Sequence, residues 1–264
     1  MTALKISDKY CGHRKRFMEE VMKRYLPVIV LVTAVVLFIG CGGKEEDGDG
    51  GELTGPGKFE SYEKAIADTK TLADYAVLKK DKELATSAAE EAKSSWEDVK
   101  TNFPTEPPAR FEADTEWPER VDTLIRLAED VGVQTAGEDF TAAEASIREI
   151  QKQLLDLHDL NKISTAGDEV IRLLILTDQL IAAFEDNRDE DAKHVMAKMF
   201  EAQQNFFGAP IPDEARDRQD EFDDMKDKVY DSIEGMQDAP NREERMKKMD
   251  EMKTVMTEFW VEFG

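Results

Sequence analysis

From residue 59 to the end of the chain, large apolar residues recur at spacings of three and four, and runs of Val, Ile and Thr long enough for strands are absent. That spacing marks one face of a helix with about 3.6 residues per turn, and it excludes a sheet whose faces alternate at two. In "AAEASIREIQKQLLDL", Ala143, Ile147, Ile150, Leu154 and Leu157 share a stripe, while Arg148, Lys152 and Asp156 fall off it. Such a helix must bury its stripe against neighbours. Similar stripes predict helices over 62–77, 83–103, 117–131, 169–184, 189–207, 214–236 and 241–263. The breaks between them carry Gly, Pro or Asp-Asn chemistry, as in "FPTEPPARF", "GVQTAGED", "STAGDE", "EDNRDED", "GAPIPDE" and "DAPN".

An internal repeat groups these eight helices. A shift of 108 lays Leu72 on Leu180, Asp81 on Asp189, Ala89 on Ala197, Val99 on Phe207 and Pro104 on Pro212; a shift of 105 lays Trp117 on Phe222 and Leu124 on Val229. A shift of 102 lays Ile147, Ile150, Leu154 and Leu157 on Met249, Met252, Met256 and Phe259. Helix order and the Pro-bearing middle loop recur, so the sequence predicts an all-α fold of two tandem antiparallel up-down-up-down four-helix bundles, 59–162 and 163–264. Each copy is large enough for a core of its own. The boundary falls in "NKISTAGDE", with a continuous bridging helix as the other arrangement the sequence allows.

Before the helices, a basic segment leads into an apolar run from Leu26 to Gly40 and then "CGGKEEDGDGG". As a helix the run reaches only about 22 Å, short of the roughly 30 Å of a bilayer core, so residues 1–40 are expected to be a secretory signal. "LFIGCGG" resembles the lipobox of bacterial lipoproteins, with Phe38 where that family usually has Leu; the resemblance implies cleavage after Gly40 and lipidation of Cys41. Translation from Met22 would give a compact signal, and that start is expected. Residues 41–58, acidic and rich in Gly, read as a flexible tether, and the EF-hand spacing of acids is not met in "DGDGGE".

The chain carries a formal net charge of −23, more negative still without residues 1–40. Nucleic acid and anionic lipid headgroups are therefore excluded as partners, and attachment to a membrane is expected through acyl chains at Cys41. With Cys11 in the signal and Cys41 lipidated, the folded part has no thiol for a disulfide, a nucleophile or a zinc site.

Two histidines remain. His158 ends the fourth helix of the first copy, in "QLLDLHDLNK", and a bundle of this length with a histidine there resembles the four-helix-bundle cytochromes, cytochrome c prime and the soluble periplasmic b type. The resemblance implies His158 as a haem axial ligand. At the positions of the c-type Cys-x-x-Cys-His signature this chain reads Leu154, Leu155, Asp156, Leu157 and His158, so covalent attachment is not expected. The b-type methionine ligand is missing too, since no Met occurs from Gly42 to Glu169. In the repeat Trp260 takes the place of His158, a large ring that serves packing. A satisfied, partly buried His158 is the reading the repeat favours, with haem binding as the alternative.

Other side chains point to ordinary roles. His194 follows Asp191 by three, but no Glu-x-x-His of a di-iron bundle occurs. Met246, Met249, Met252 and Met256 could offer copper(I) thioethers, yet they lie on the stripe that fills a core. Glu221 and Asp224 sit among charges with no apolar surroundings to raise a pKa. No phosphate loop, nucleophile elbow or dinucleotide fingerprint is present.

The expected protein is thus a non-enzymatic lipoprotein of a bacterial envelope, on the outer membrane and facing the periplasm. It would act as a binding or structural module toward a protein partner, with no small-molecule substrate identified, no metal and no resident cofactor. A b-type haem protein using His158 is the alternative, and a metal-binding or chaperone-like acidic module a third reading.

Overall fold

Four helix starts are set by side chains that the sequence places there. Asp81, Asp139, Thr165 and Asn241 each accept the backbone N–H three residues on, at Leu84, Ala142, Asp168 and Glu244. Each thereby satisfies one of the donors that a helix N-terminus leaves unpaired. Four helix ends are turned by Lys80, Glu138, Lys162 and Asn187, all with positive φ, a left-handed residue being the usual way to stop a helix tightly.

The computed structural model describes residues 56–264. Among the described residues there are eight α-helices and no strand: α1 Pro56–Ala73, α2 Lys82–Asn102, α3 Trp117–Ala136, α4 Phe140–Leu160, α5 Ala166–Glu185, α6 Asp189–Gly208, α7 Gln219–Gln237 and α8 Arg242–Phe263. The fold is all-α. The expected signal 1–40, the Met22 start, Cys41 and most of the expected tether lie outside the described residues; α1 begins at Pro56, so residues 56–58 are helical rather than tether. The helix expected from residue 214 instead opens with a 3-10 stretch, Asp213–Arg218. The chain breaks at 161–165, so no continuous helix bridges α4 and α5. No helix among the described residues is long and apolar enough to cross a membrane.

Paired residues give the helix directions. Lys82 meets Glu138, Lys93 meets Glu129 and Lys100 meets Asp122, so α2 and α3 run antiparallel. Gln134 with Ser146 and Arg120 with Gln153 do the same for α3 and α4, and Arg148 with Asp178 and His158 with Asp168 for α4 and α5. Along α5 and α8, Asp178 meets Lys253, and a Cβ on Gly167 would overlap the backbone of Gly264.

Burial recurs along the chain with a fixed offset for each helix. Tyr62, Ala65, Thr69 and Leu72 of α1 are buried, as are Val170, Leu173, Thr177 and Leu180 of α5, 108 residues on. For α2 and α6 the offset is 107: Ala85, Ala88, Ala92, Trp96 and Val99 match Ala192, Val195, Met199, Gln203 and Phe206. This corrects the sequence register of 108, which lays the buried Ala89 on the exposed Ala197. The extra residue lies between Leu72 and Ala76, where α1 passes into a π-helical stretch, Asp74–Lys79, whose C-cap Lys80 donates its N–H to the Tyr75 carbonyl. A π turn widens the ring by one residue, so one extra residue is absorbed and the buried stripe stays in phase. Offsets of 105 for α3 and α7 and of 102 for α4 and α8 hold in the burial pattern as the sequence predicts.

The buried residues form one continuous apolar core. α2 packs along α3, where a Cβ on Gly132 would stand 3.0 Å from that of Ala89. Matching α6 and α7 stand farther apart; α5 and α8 pack closely instead. α5 rests on α4, and α8 on α1 and its π-helical continuation.

Candidate functional site

His158 is placed by the last turn of α4 and held by the first turn of α5. Its Nδ1 donates to Oδ1 of Asp168 at 2.7 Å, and the other oxygen of Asp168 accepts from the backbone N–H and the hydroxyl of Thr165, both at 2.8 Å. Thr165 Oγ1 in turn accepts from the Asp168 N–H, which completes a capping box. One carboxylate thus caps α5 and ties it to α4. The imidazole also lies face to face with Phe111, centroids 5.9 Å apart and planes 16° from parallel.

Phe111 comes from the short 3-10 turn Ala109–Phe111 in the Pro-bearing loop and is fully buried. It stacks on Trp117 and tilts against Tyr62, whose ring meets Trp96 edge-on. Beneath the loop, Arg120 pairs with Asp114 through Nε to Oδ2 at 2.7 Å, and its Nη1 donates to the side-chain and backbone oxygens of Gln153. Both partners of that ion pair are buried. The Tyr62 hydroxyl has no hydrogen-bond partner; its burial, reinforced by Asp168 and opposed by Arg110 and Arg120, pushes the phenol above the usual tyrosine range.

Haem would need space on the Nε2 side of His158 and, for the b type, a second ligand. Phe111 covers a face of the imidazole and Nδ1 is engaged by Asp168, which leaves Nε2 as the nitrogen that could ligate. Trp260, which the sequence register sets opposite His158, is buried against Gly264, whereas His158 is partly exposed.

A second polar cluster joins α4, α5 and α8. Lys253 bridges Glu144 at 2.7 Å and Asp178 at 2.9 Å, and Arg148 reaches Asp178 at 3.1 Å and Glu144 at 3.7 Å. Burial lowers the pKa of Arg148, against the pull of both carboxylates. For Lys253 burial acts the same way, but Glu144 and Asp178 outweigh it and hold the ammonium above its usual range.

The remaining sequence candidates are dispersed. His194 is exposed on α6; Met249, Met252 and Met256 are fully buried in the core and Met246 partly so. Glu221 pairs with Arg218, and Asp224 is exposed. Among the described residues no group of three or more His, Asp or Glu is placed to hold a metal ion.

Sequence reasoning missed Glu169. Its side chain is 7% exposed, Oε2 is buried, and beside the Asn205 amide the carboxyl has long contacts from Oε1 to Ser164 at 3.4 Å and Arg172 at 3.5 Å. Burial raises its pKa, Arg172 opposes and Asp168 adds to the rise. It lies in a groove of about 420 Å³ between α5 and α6, next to the end of α4. No protein family, curated protein or solved structure matches this chain.

Proposed function

We propose that this chain is a lipid-anchored protein of a bacterial envelope, acylated at Cys41, whose helices form two copies of one four-helix unit and act as a non-enzymatic binding or structural module on the periplasmic face of the outer membrane. The repeat is supported by the offsets of 108, 107, 105 and 102, at which buried positions of α1–α4 meet buried positions of α5–α8. The two copies are docked rather than strung apart: α5 and α8 lie along α4 and α1, and the Arg148, Glu144, Asp178 and Lys253 cluster spans the joint.

The observation that carries the module reading is the bond from His158 to Asp168. Through Nδ1, His158 ties the end of α4 to the start of α5. The acidic surface leaves the acyl chains as the means of attachment and a protein as the partner class.

Two measurements test this. Cells expressing the full chain incorporate labelled palmitate into it, and Cys41→Ser abolishes both the label and membrane retention; a labelled or membrane-held Cys41→Ser chain overturns the anchor. Haemin added to the purified protein gives no saturable Soret shift. A shift lost in His158→Ala replaces the module reading with that of a b-type haem protein on His158.

A further inference from the structure

We propose that Met225 is a reversible oxidation site whose reactant is a neutral hydroperoxide, and that Lys228 steers the reaction to it. This goes beyond the anchored-module reading and depends neither on Cys41 nor on His158.

From Gly42 onward the chain has no cysteine, so its sulfur is all thioether. The methionines beyond Met22 fall between Met196 and Met256, and burial divides them. Met199, Met236, Met249, Met252 and Met256 are at most 4% exposed, whereas Met196, Met225 and Met246 are partly buried at the edge of the core. An oxidant reaches the second group without any opening of the fold. Of these three only Met225 lines the groove of about 430 Å³ that α7 and α8 form with the π-helical stretch of α1, beside Leu78, Val261 and Phe263.

Lys228 distinguishes the site further. Exposed and one turn on, it donates from Nζ to Met225 Sδ at 3.7 Å, and among the described residues it forms no ion pair. A thioether is a weak acceptor and a sulfoxide oxygen a polar one, so the same ammonium is better satisfied by the product than by the reactant. In the reaction the sulfur lone pair attacks one peroxide oxygen and the O–O bond breaks. The other oxygen leaves as water with the proton that the first gives up; sulfur is oxidised by two electrons and the peroxide reduced by two. An N–H beside the sulfur stabilises the oxygen that gathers charge as the O–O bond breaks.

Charge selects the oxidant. Asp224 and Glu258 flank the groove, and a chain of net charge −23 repels anions such as hypochlorite. A neutral peroxide is not repelled.

The test exposes the full chain to excess hydrogen peroxide and follows each methionine by peptide mass spectrometry. Met225 is oxidised at least about threefold faster than Met196 or Met246, and at least about a hundredfold faster than the buried methionines. Lys228→Gln, at an exposed position, slows Met225 about threefold and leaves Met196 and Met246 unchanged as internal standards, while Lys228→Arg restores the rate at Met225. Methionine sulfoxide reductases acting on the folded chain return Met225 to the thioether. Another methionine oxidised first, an unchanged Met225 rate in Lys228→Gln, an equal loss in Lys228→Arg, or a sulfoxide that the reductases leave in place overturns the assignment, and none of these results bears on the palmitate test of the anchor.

Discussion

The loop-bearing ends of α1–α4 and of α5–α8 close in different ways. In α1–α4 the Pro-bearing loop inserts Phe111 and Asp114, and the end is fastened by the buried pair of Asp114 with Arg120 and by the stack of His158 on Phe111. In α5–α8 the same end is filled by Phe206, Phe222, Phe259 and Phe263, whose rings meet at 4.8–5.7 Å. Lys226, buried there, lies over two of those rings and donates to the carbonyls of Phe207 and Ala209. A polar closure specifies one loop position, because each group needs its own partner. An apolar closure tolerates repacking, because dispersion has no direction. The helix pairs differ too: Ala89 and Gly132 let α2 and α3 approach, while α6, which carries Met196 at the position of Ala89, stands farther from α7.

The largest effect should come from breaking the polar closure. Arg120→Ala leaves Asp114 buried and unpaired and costs about 3–5 kcal/mol in chemical denaturation. A cost below about 1 kcal/mol would mean that the two ends are equally tolerant. Ala89→Met, which gives α2 the residue of its α6 counterpart, overpacks the close α2–α3 contact and costs about 1–3 kcal/mol, whereas Met196→Ala costs less because α6 is not pressed against α7. Equal costs would break the contrast in helix spacing. His158→Ala removes one donor from Asp168 and should cost about 1–2 kcal/mol.

A pH series separates Glu169 from these contacts. Its folded-state pKa lies above the ordinary glutamate value of 4.5, so the native state holds the proton longer than the unfolded chain does. Its contribution is therefore present at low pH and is lost as pH rises from that value through the raised one, and Glu169→Gln should remove that part of the slope in denaturation midpoints. An identical slope in the variant would show that Glu169 titrates normally. The smallest effect is expected at a turn: Glu138→Gly relieves a positive φ and gains up to about 1 kcal/mol in the same assay.

Much of this was legible in the sequence, for local reasons. Helix positions follow from stripes such as Ala143 to Leu157, and the caps Asp139, Thr165 and Asn241 stand in the breaks that Gly, Pro and Asn mark, whereas Asp81 stands in a break without them. The α2 register was not legible, since insertions are expected in loops and this one lies inside a helix. His158 could be singled out, but not its partner Asp168, which a turn brings back from the next helix. Glu169 was hidden for a related reason: an acid in a first turn reads as a complement to the helix dipole, and only α6 lying beside it makes it buried.

The π-helical stretch of α1 has a consequence for how such a chain can vary. A residue gained or lost in a regular helix rotates everything after it by about 100° and turns the core stripe toward water. At Asp74–Lys79 the backbone takes up the difference within a turn, so α1–α2 and α5–α6 can count differently and still bury matching faces. Length differences of this kind are a source of variety that leaves the loops alone, and the place to look for them in a helical repeat is where one copy winds more loosely than the other.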